Sequence, residues 1–144
     1  MAIYFYSEKG DYGALSNYAR YGVKLDGESW PTVEHYFQAQ KFDDARHRAR
    51  IRRAATAKEA KTLGRSRKVP LRPDWEDVKD DIMYRAVKKK FKTHKAARKL
   101  LLGTGDEDLI ENAPMDSYWG CGDDGKGLNR LGAILMQVRD ELRS

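Results

Sequence analysis

Asp74-Trp75-Glu76-Asp77-Val78-Lys79-Asp80-Asp81-Ile82-Met83-Tyr84-Arg85-Ala86-Val87-Lys88-Lys89-Lys90-Phe91 is the stretch that decides the fold class. Val78, Ile82, Met83, Ala86, Val87 and Phe91 recur at helical spacing and form one apolar stripe on a 3.6-residue period. Asp74 stands where a helix cap belongs. Glu76 and Asp77 fall in the first turn, where the positive end of the helix dipole favours acids. Two prolines just before it, Pro70 and Pro73, keep Val69 to Pro73 extended.

The same logic carries outward. Downstream, a shorter helix runs from His94 to Leu102 and stops at Gly103. A C-terminal helix from about Asn129 presents Leu131, Ile134, Leu135, Val138 and Leu142 on one face. Upstream, Thr32 caps a helix to about Phe42, and an Arg- and Ala-rich helix covers Asp44 to Ala55. Thr56 to Leu63 continues or restarts it, and Gly64 breaks the pattern. Strand signals are confined to the N-terminus: Ile3 to Tyr6, and Val23 to Leu25 running into the Asp26-Gly27 hairpin turn. The expected architecture is α+β, predominantly helical. It is one compact domain over residues 1–144 with a small N-terminal β element packed on a helical bundle.

With 144 residues, 40% apolar and 35% charged, the chain has room for one real core. No apolar run approaches the roughly 20 residues a bilayer requires, and no signal peptide is evident. The expectations are therefore no membrane association and a cytoplasmic, intracellular monomer. Cys121 is the single cysteine, and neither it nor the three histidines has zinc-site spacing, so no metal is expected. The charge is segregated: Arg46 to Lys99 holds 20 basic and 6 acidic residues, the remainder 8 basic and 16 acidic. A basic 46–99 segment suits phosphates on a nucleotide or a nucleic acid, and equally describes ordinary solvated helix faces.

Reactive groups concentrate in two places. In Trp30-Pro31-Thr32-Val33-Glu34-His35-Tyr36-Phe37-Gln38-Ala39-Gln40-Lys41-Phe42, the helical wheel turns Val33, Tyr36 and Phe37 inward and stacks Glu34, Gln38 and Lys41 along the border. At the lip of a pocket, Glu34 is placed for general acid–base work and a desolvated Lys41 for nucleophilic attack. A plain surface stripe has the same spacing. In the run from Pro114 to Asn129, which contains Asp116-Ser117-Tyr118-Trp119-Gly120, a carboxylate adjoins aromatic faces suited to a sugar and a stacked base. A reverse turn with two aromatic plugs fits it too. Gly120, Gly122 and Gly125 spell G-x-G-x-x-G, but without a βαβ unit this is no Rossmann fingerprint. Between the two, Arg65 can fork onto a phosphate and Trp75 can wall a pocket, although an exposed arginine and a core tryptophan are the commoner fates.

Phe5-Tyr6-Ser7, Leu15-Ser16-Asn17-Tyr18, the Trp30 to Phe42 block, Ala60 to Arg65, Arg72 to Lys79, Asp116 to Gly120 and Gly125 to Gly132 together resemble the YbiA-like NADAR family. The resemblance spans nearly the whole chain. Tyr18 is a visible departure, since relatives often carry Phe there.

The resemblance implies an N-glycosidase that cuts between ribose C1′ and a base nitrogen, with no cofactor. Two substrate branches come with it: phosphoribosylamino-pyrimidine intermediates of riboflavin synthesis, and ADP-ribose on guanine, including guanine in nucleic acid. The basic segment tilts the expectation toward the ADP-ribosyl branch. The catalytic residues it implies are Glu34, Asp116 and Lys41, the last through a Schiff base on the opened sugar. For substrate binding it implies Asn17, Trp30, Gln38, Arg65, Trp75, Tyr118, Trp119, Gly120 and Asn129. Trp75 and Trp119 would hold the base by stacking. The rival from another class is a non-catalytic module that binds ADP-ribose or nucleic acid.

Overall fold

A computed structural model describes residues 1–143. The chain runs β1 (Ala2–Phe5), a 3-10 turn (Gly13–Leu15), β2 (Val23–Leu25), β3 (Glu28–Trp30), α1 (Val33–Gln40), α2 (Ala45–Arg52), α3 (Ala57–Gly64), α4 (Trp75–Thr93), α5 (Lys95–Gly103), β4 (Asp108–Glu111) and α6 (Arg130–Arg143). It is an α+β fold, mostly helical.

Helix α1 is the axis of the molecule. Its eight residues are all buried, because it packs against α2 and α3 on one side and against α4 on another. Thr32 starts it: the Oγ1 accepts the His35 N–H at 3.1 Å and meets His35 Nδ1 at 2.8 Å, while His35 Nε2 donates to the Ala54 carbonyl at 3.0 Å. One buried threonine and one neutral histidine thus tie the start of α1 to the α2–α3 connection. Burial holds the His35 imidazolium pKa below its ordinary value, which suits this neutral tautomer.

Most of the α4 stripe is core as its spacing predicts: Ile82, Met83, Ala86, Val87 and Phe91 are buried, and Val78 in the first turn is partly buried against them. Each buried residue contributes about 1.5–3 kcal/mol in removing apolar surface from water, alanine less. Asp74, however, makes no capping bond; Arg72 draws its carboxylate away through a 2.6 Å contact from Nε. The 44–63 region resolves into two helices, since Thr56 accepts the Glu59 N–H and restarts the chain.

The β structure departs from the sequence expectation. β2 and β3 form the hairpin around Asp26-Gly27, but β1 ends at Phe5 and joins neither. It pairs in parallel with β4, Ala2 opposite Asp108 and Phe5 opposite Glu111. Both strands therefore deliver their C-terminal ends to the same place.

Candidate active site

At that place lies a cavity of about 390 Å³, a size that suits a small-molecule ligand. Its lining comes from the segment after β1 (Tyr6–Glu8), the 16–18 loop, α1 (Glu34, Phe37, Gln38, Lys41), α3 with its cap (Lys61, Arg65), Met83 of α4, and the run from Glu111 to Trp119. Glu34 and Asp116, far apart in sequence, share this hollow.

Glu34 is 7% exposed and its carboxylate accepts a 2.7 Å bond from Gln38 Nε2, one turn along α1. Burial pushes its pKa above the ordinary carboxylate range. Gln38, Lys61 and Lys41 oppose that shift and Asp116 adds to it. The border stripe expected on the wheel is thus an interior edge. The Glu34 backbone N–H also donates to the Asn17 carbonyl at 3.2 Å, joining the 16–18 loop to α1.

Lys41 caps the C-terminus of α1, with its Nζ 5.8 Å from the Phe37 ring centroid. Burial lowers its amine to about 8. Glu34 works against the shift, while the nearby cations Arg67, Lys61 and Arg65 reinforce it.

Asp116 is fixed by its own turn, where Oδ1 accepts the backbone N–H groups of Tyr118 at 3.0 Å and Trp119 at 2.8 Å. Trp119 meets Phe37 edge-on, centroids 5.2 Å apart, and these two rings form the aromatic wall.

Seven expected site residues therefore meet at the cavity: Asn17, Glu34, Gln38, Lys41, Arg65, Asp116 and Trp119. Five lie elsewhere. Trp75 sits behind Phe37 at 5.2 Å and forms no wall, so the expected indole pair around a base reduces to Trp119. Trp30 packs on Tyr36 under the Arg52 guanidinium. Tyr118 turns outward, its hydroxyl donating to Asp80 at 2.6 Å with Lys79 over its ring. Gly120 is a packing position, since a Cβ there would meet the Glu111 carbonyl at 2.8 Å and the Ala113 side chain at 3.0 Å. Asn129, at a positive φ of 51°, accepts the Glu111 N–H at 2.9 Å and donates to the Leu109 carbonyl at 2.9 Å. It braces β4 from outside the cavity.

Sequence reasoning missed Glu111, Lys61, Tyr6 and Met115, all of which line the cavity. Glu111 is the most consequential. Burial raises its carboxyl to about 8, with Asp116 and Glu34 adding to the shift and Lys61 opposing it. The signal that finds it is the strand: ligands gather at the C-terminal ends of parallel strands, and Glu111 is the last residue of β4.

A NADAR domain model matches residues 4–143. The chain belongs to the NADAR family. It is 49% identical over 140 residues to N-glycosidase YbiA of Escherichia coli (strain K12), covering 97% of this chain and 88% of that protein. It is 50% identical over 147 residues to N-glycosidase Npun_R5314 of Nostoc punctiforme, covering 100% and 94%. A protein of Vibrio vulnificus named riboflavin biosynthesis protein VVA0006 is 42% identical, with 98% of this NADAR chain matching 38% of its length. The NMR structure of E. coli YbiA superposes with a TM-score of 0.90 at 48% identity, over 99% of this chain and 84% of that one. No helix among the described residues is long and apolar enough to cross a membrane.

Proposed function

We propose that this NADAR enzyme, a hydrolase of N-glycosyl bonds, cleaves the C1′–N bond of a phosphoribosylaminopyrimidine in the cavity at the β1–β4 strand ends. The observation that carries the proposal is the convergence of Glu34 and Asp116 with Lys41, Lys61 and Arg65 around one hollow. Breaking the bond builds positive charge on the sugar, which carboxylates stabilise, while lysine and arginine side chains of α3 and its cap receive the phosphate. Asp116 takes the proton of the attacking water. Glu34 bonds the sugar hydroxyls and neighbours Lys41.

A second chemical route runs through Lys41. Its depressed pKa keeps part of the amine neutral near pH 7, which allows addition to C1′ of the ring-opened sugar and departure of the base. Glu34 then exchanges protons with the lysine.

The basic segment supports a polyanionic partner less than its charge count implies. Arg52, Arg72, Lys79, Arg85 and Lys88 are paired with carboxylates, and Lys90 is buried. Arg46, Arg50, Arg53, Lys58 and Lys68 are exposed and have no carboxylate partner among the described residues. That group on and after α2 and α3 favours ADP-ribosylated guanine in nucleic acid as the second substrate reading. The riboflavin-named relative and the size of the cavity favour the smaller riboside.

The test offers a phosphoribosylaminopyrimidine and an ADP-ribosylated-guanine oligonucleotide side by side, with products read by mass spectrometry. Free base from the first is the expected result. Base from the second alone reverses the order, and salt-dependent binding without product identifies a non-catalytic binding module.

A further inference from the structure

Glu111 stands apart from the other three carboxyls that line the cavity, of which Glu8 is exposed to solvent. Glu34 holds the Gln38 amide, and Asp116 holds two backbone N–H groups. The Glu111 side chain has no hydrogen-bond or ion-pair partner among the described residues, although it is half-buried. Its backbone, by contrast, is held on both sides. The N–H donates to Asn129 Oδ1 at 2.9 Å, and the carbonyl accepts from Cys121 N–H at 2.9 Å. A carboxyl on a rigid strand end, free of protein partners and lining a substrate-sized hollow, is a group kept for the substrate.

The cavity is also polar in direction. Its cations are Lys41 at the end of α1 and Lys61 and Arg65 from α3 and its cap, whereas the segments after β1 and β4 bring Tyr6 and Met115, 57% and 88% exposed. With the phosphate on Arg65 at the end of α3, as proposed above, the base lies at the strand end beside Glu111, where Lys61 also reaches.

We propose that Glu111 is the general acid that protonates the departing base. As the C1′–N bond breaks, its electron pair goes to the base nitrogen and the Glu111 carboxyl proton bonds there. Water then bonds to C1′, giving its proton to Asp116, and solvent returns a proton to Glu111. In the lysine route the departing nitrogen takes the same proton. The groups facing Glu111 are Asp116 from the turn, Glu34 from α1, Lys61 from α3 and Tyr18 from the 16–18 loop. Burial and crowding by two carboxyls keep its proton in place at neutral pH, in support of the geometry.

This inference rests on the N-glycosidase reading of the cavity. The experiment uses whichever riboside the wild type turns over, plus analogues whose base carries progressively more electron-withdrawing substituents. Failure of the wild type on both ribosides overturns the substrate reading and is visible before any variant is made. Glu111→Gln should lose about 10²-fold or more on the parent substrate, in keeping with general acid catalysis. Its deficit should shrink as the base becomes a better leaving group, and the fall in rate above about pH 8 should vanish. Glu111→Asp, which keeps a carboxyl, should recover part of the rate and retain a high-pH fall. Equal losses across the analogue series, an unchanged pH profile, or a Glu111→Gln rate within a few-fold of wild type overturns the proposal.

Discussion

Gln38 donates a 2.7 Å hydrogen bond to Glu34 and at the same time rests its Oε1 against Gly64 on α3. A Cβ at position 64 would overlap that amide, so the glycine is there to leave Gln38 room. Gly64→Ala should displace Gln38 and leave Glu34 without its partner. Crowding a buried amide costs about 1–3 kcal/mol, more than alanine gains as a helix former at the last residue of α3, so the melting temperature should fall. Turnover should fall about tenfold, or ~1.4 kcal/mol of barrier. Gln38→Ala should fall by a similar factor, and the double variant by no more than either alone, since both act through Glu34. Additive losses in steady-state kinetics would separate the two residues.

Glu34→Gln and Asp116→Asn should each bring turnover about 10²-fold or more below wild type with the fold intact. In Asp116→Asn the new side-chain amide oxygen can still accept the Tyr118 and Trp119 N–H groups, so the turn survives while the basic oxygen is lost. Base release followed by chromatography, with circular dichroism as the fold control, decides the matter. A double-digit percentage of wild-type activity removes that residue from its role.

Lys41 tests the covalent route. With its amine lowered to about 8, roughly a tenth is neutral at pH 7, and the fraction rises as pH approaches 8. Borohydride added during turnover should leave a reduced sugar adduct on Lys41, found by peptide mass spectrometry and formed faster at pH 8 than at pH 6. Lys41→Ala at full rate would leave attack by water as the route.

Much of this is legible in the sequence because period and residue type coincide. The α4 stripe and the Thr32 cap can be read directly, and the Glu34 to Lys41 edge is chemically loaded on spacing alone. What escapes requires long-range pairing. Asp108-Leu109-Ile110-Glu111 is too short a run to announce a strand, and its partner β1 lies at the other end of the chain. Without that pair, Glu111 reads as one more surface acid. The tryptophans mislead for a different reason: Trp30 and Trp75 carry the residue type of a base-stacking wall, but large aromatics are also the main core fillers, and only packing distinguishes the two uses.

Lys90 illustrates the same blind spot and yields a stability prediction. It lies on the buried face of α4, 1% exposed, where pattern reading admits only apolar residues. Its Nζ donates one 2.8 Å bond, to the Ser16 carbonyl beside the cavity loop, and lies 4.9 and 5.8 Å from the Phe91 and Tyr21 ring centroids. Burial lowers the amine to about 7, against 10.5 for an ordinary lysine. Between those values the unfolded chain binds a proton that the folded chain does not, so stability rises with pH across that window and levels off at its lowest below it. Lys90→Met removes this dependence but leaves the Ser16 carbonyl without its donor, a loss of about 1–3 kcal/mol. Urea unfolding should therefore show the wild type gaining at least ~2 kcal/mol on the variant between pH 7 and pH 10. The variant should match or exceed wild type at pH 6 and fall below it at pH 10. Parallel stability curves would mean that the amine stays protonated in the core, held by the Ser16 carbonyl and the two aromatic faces.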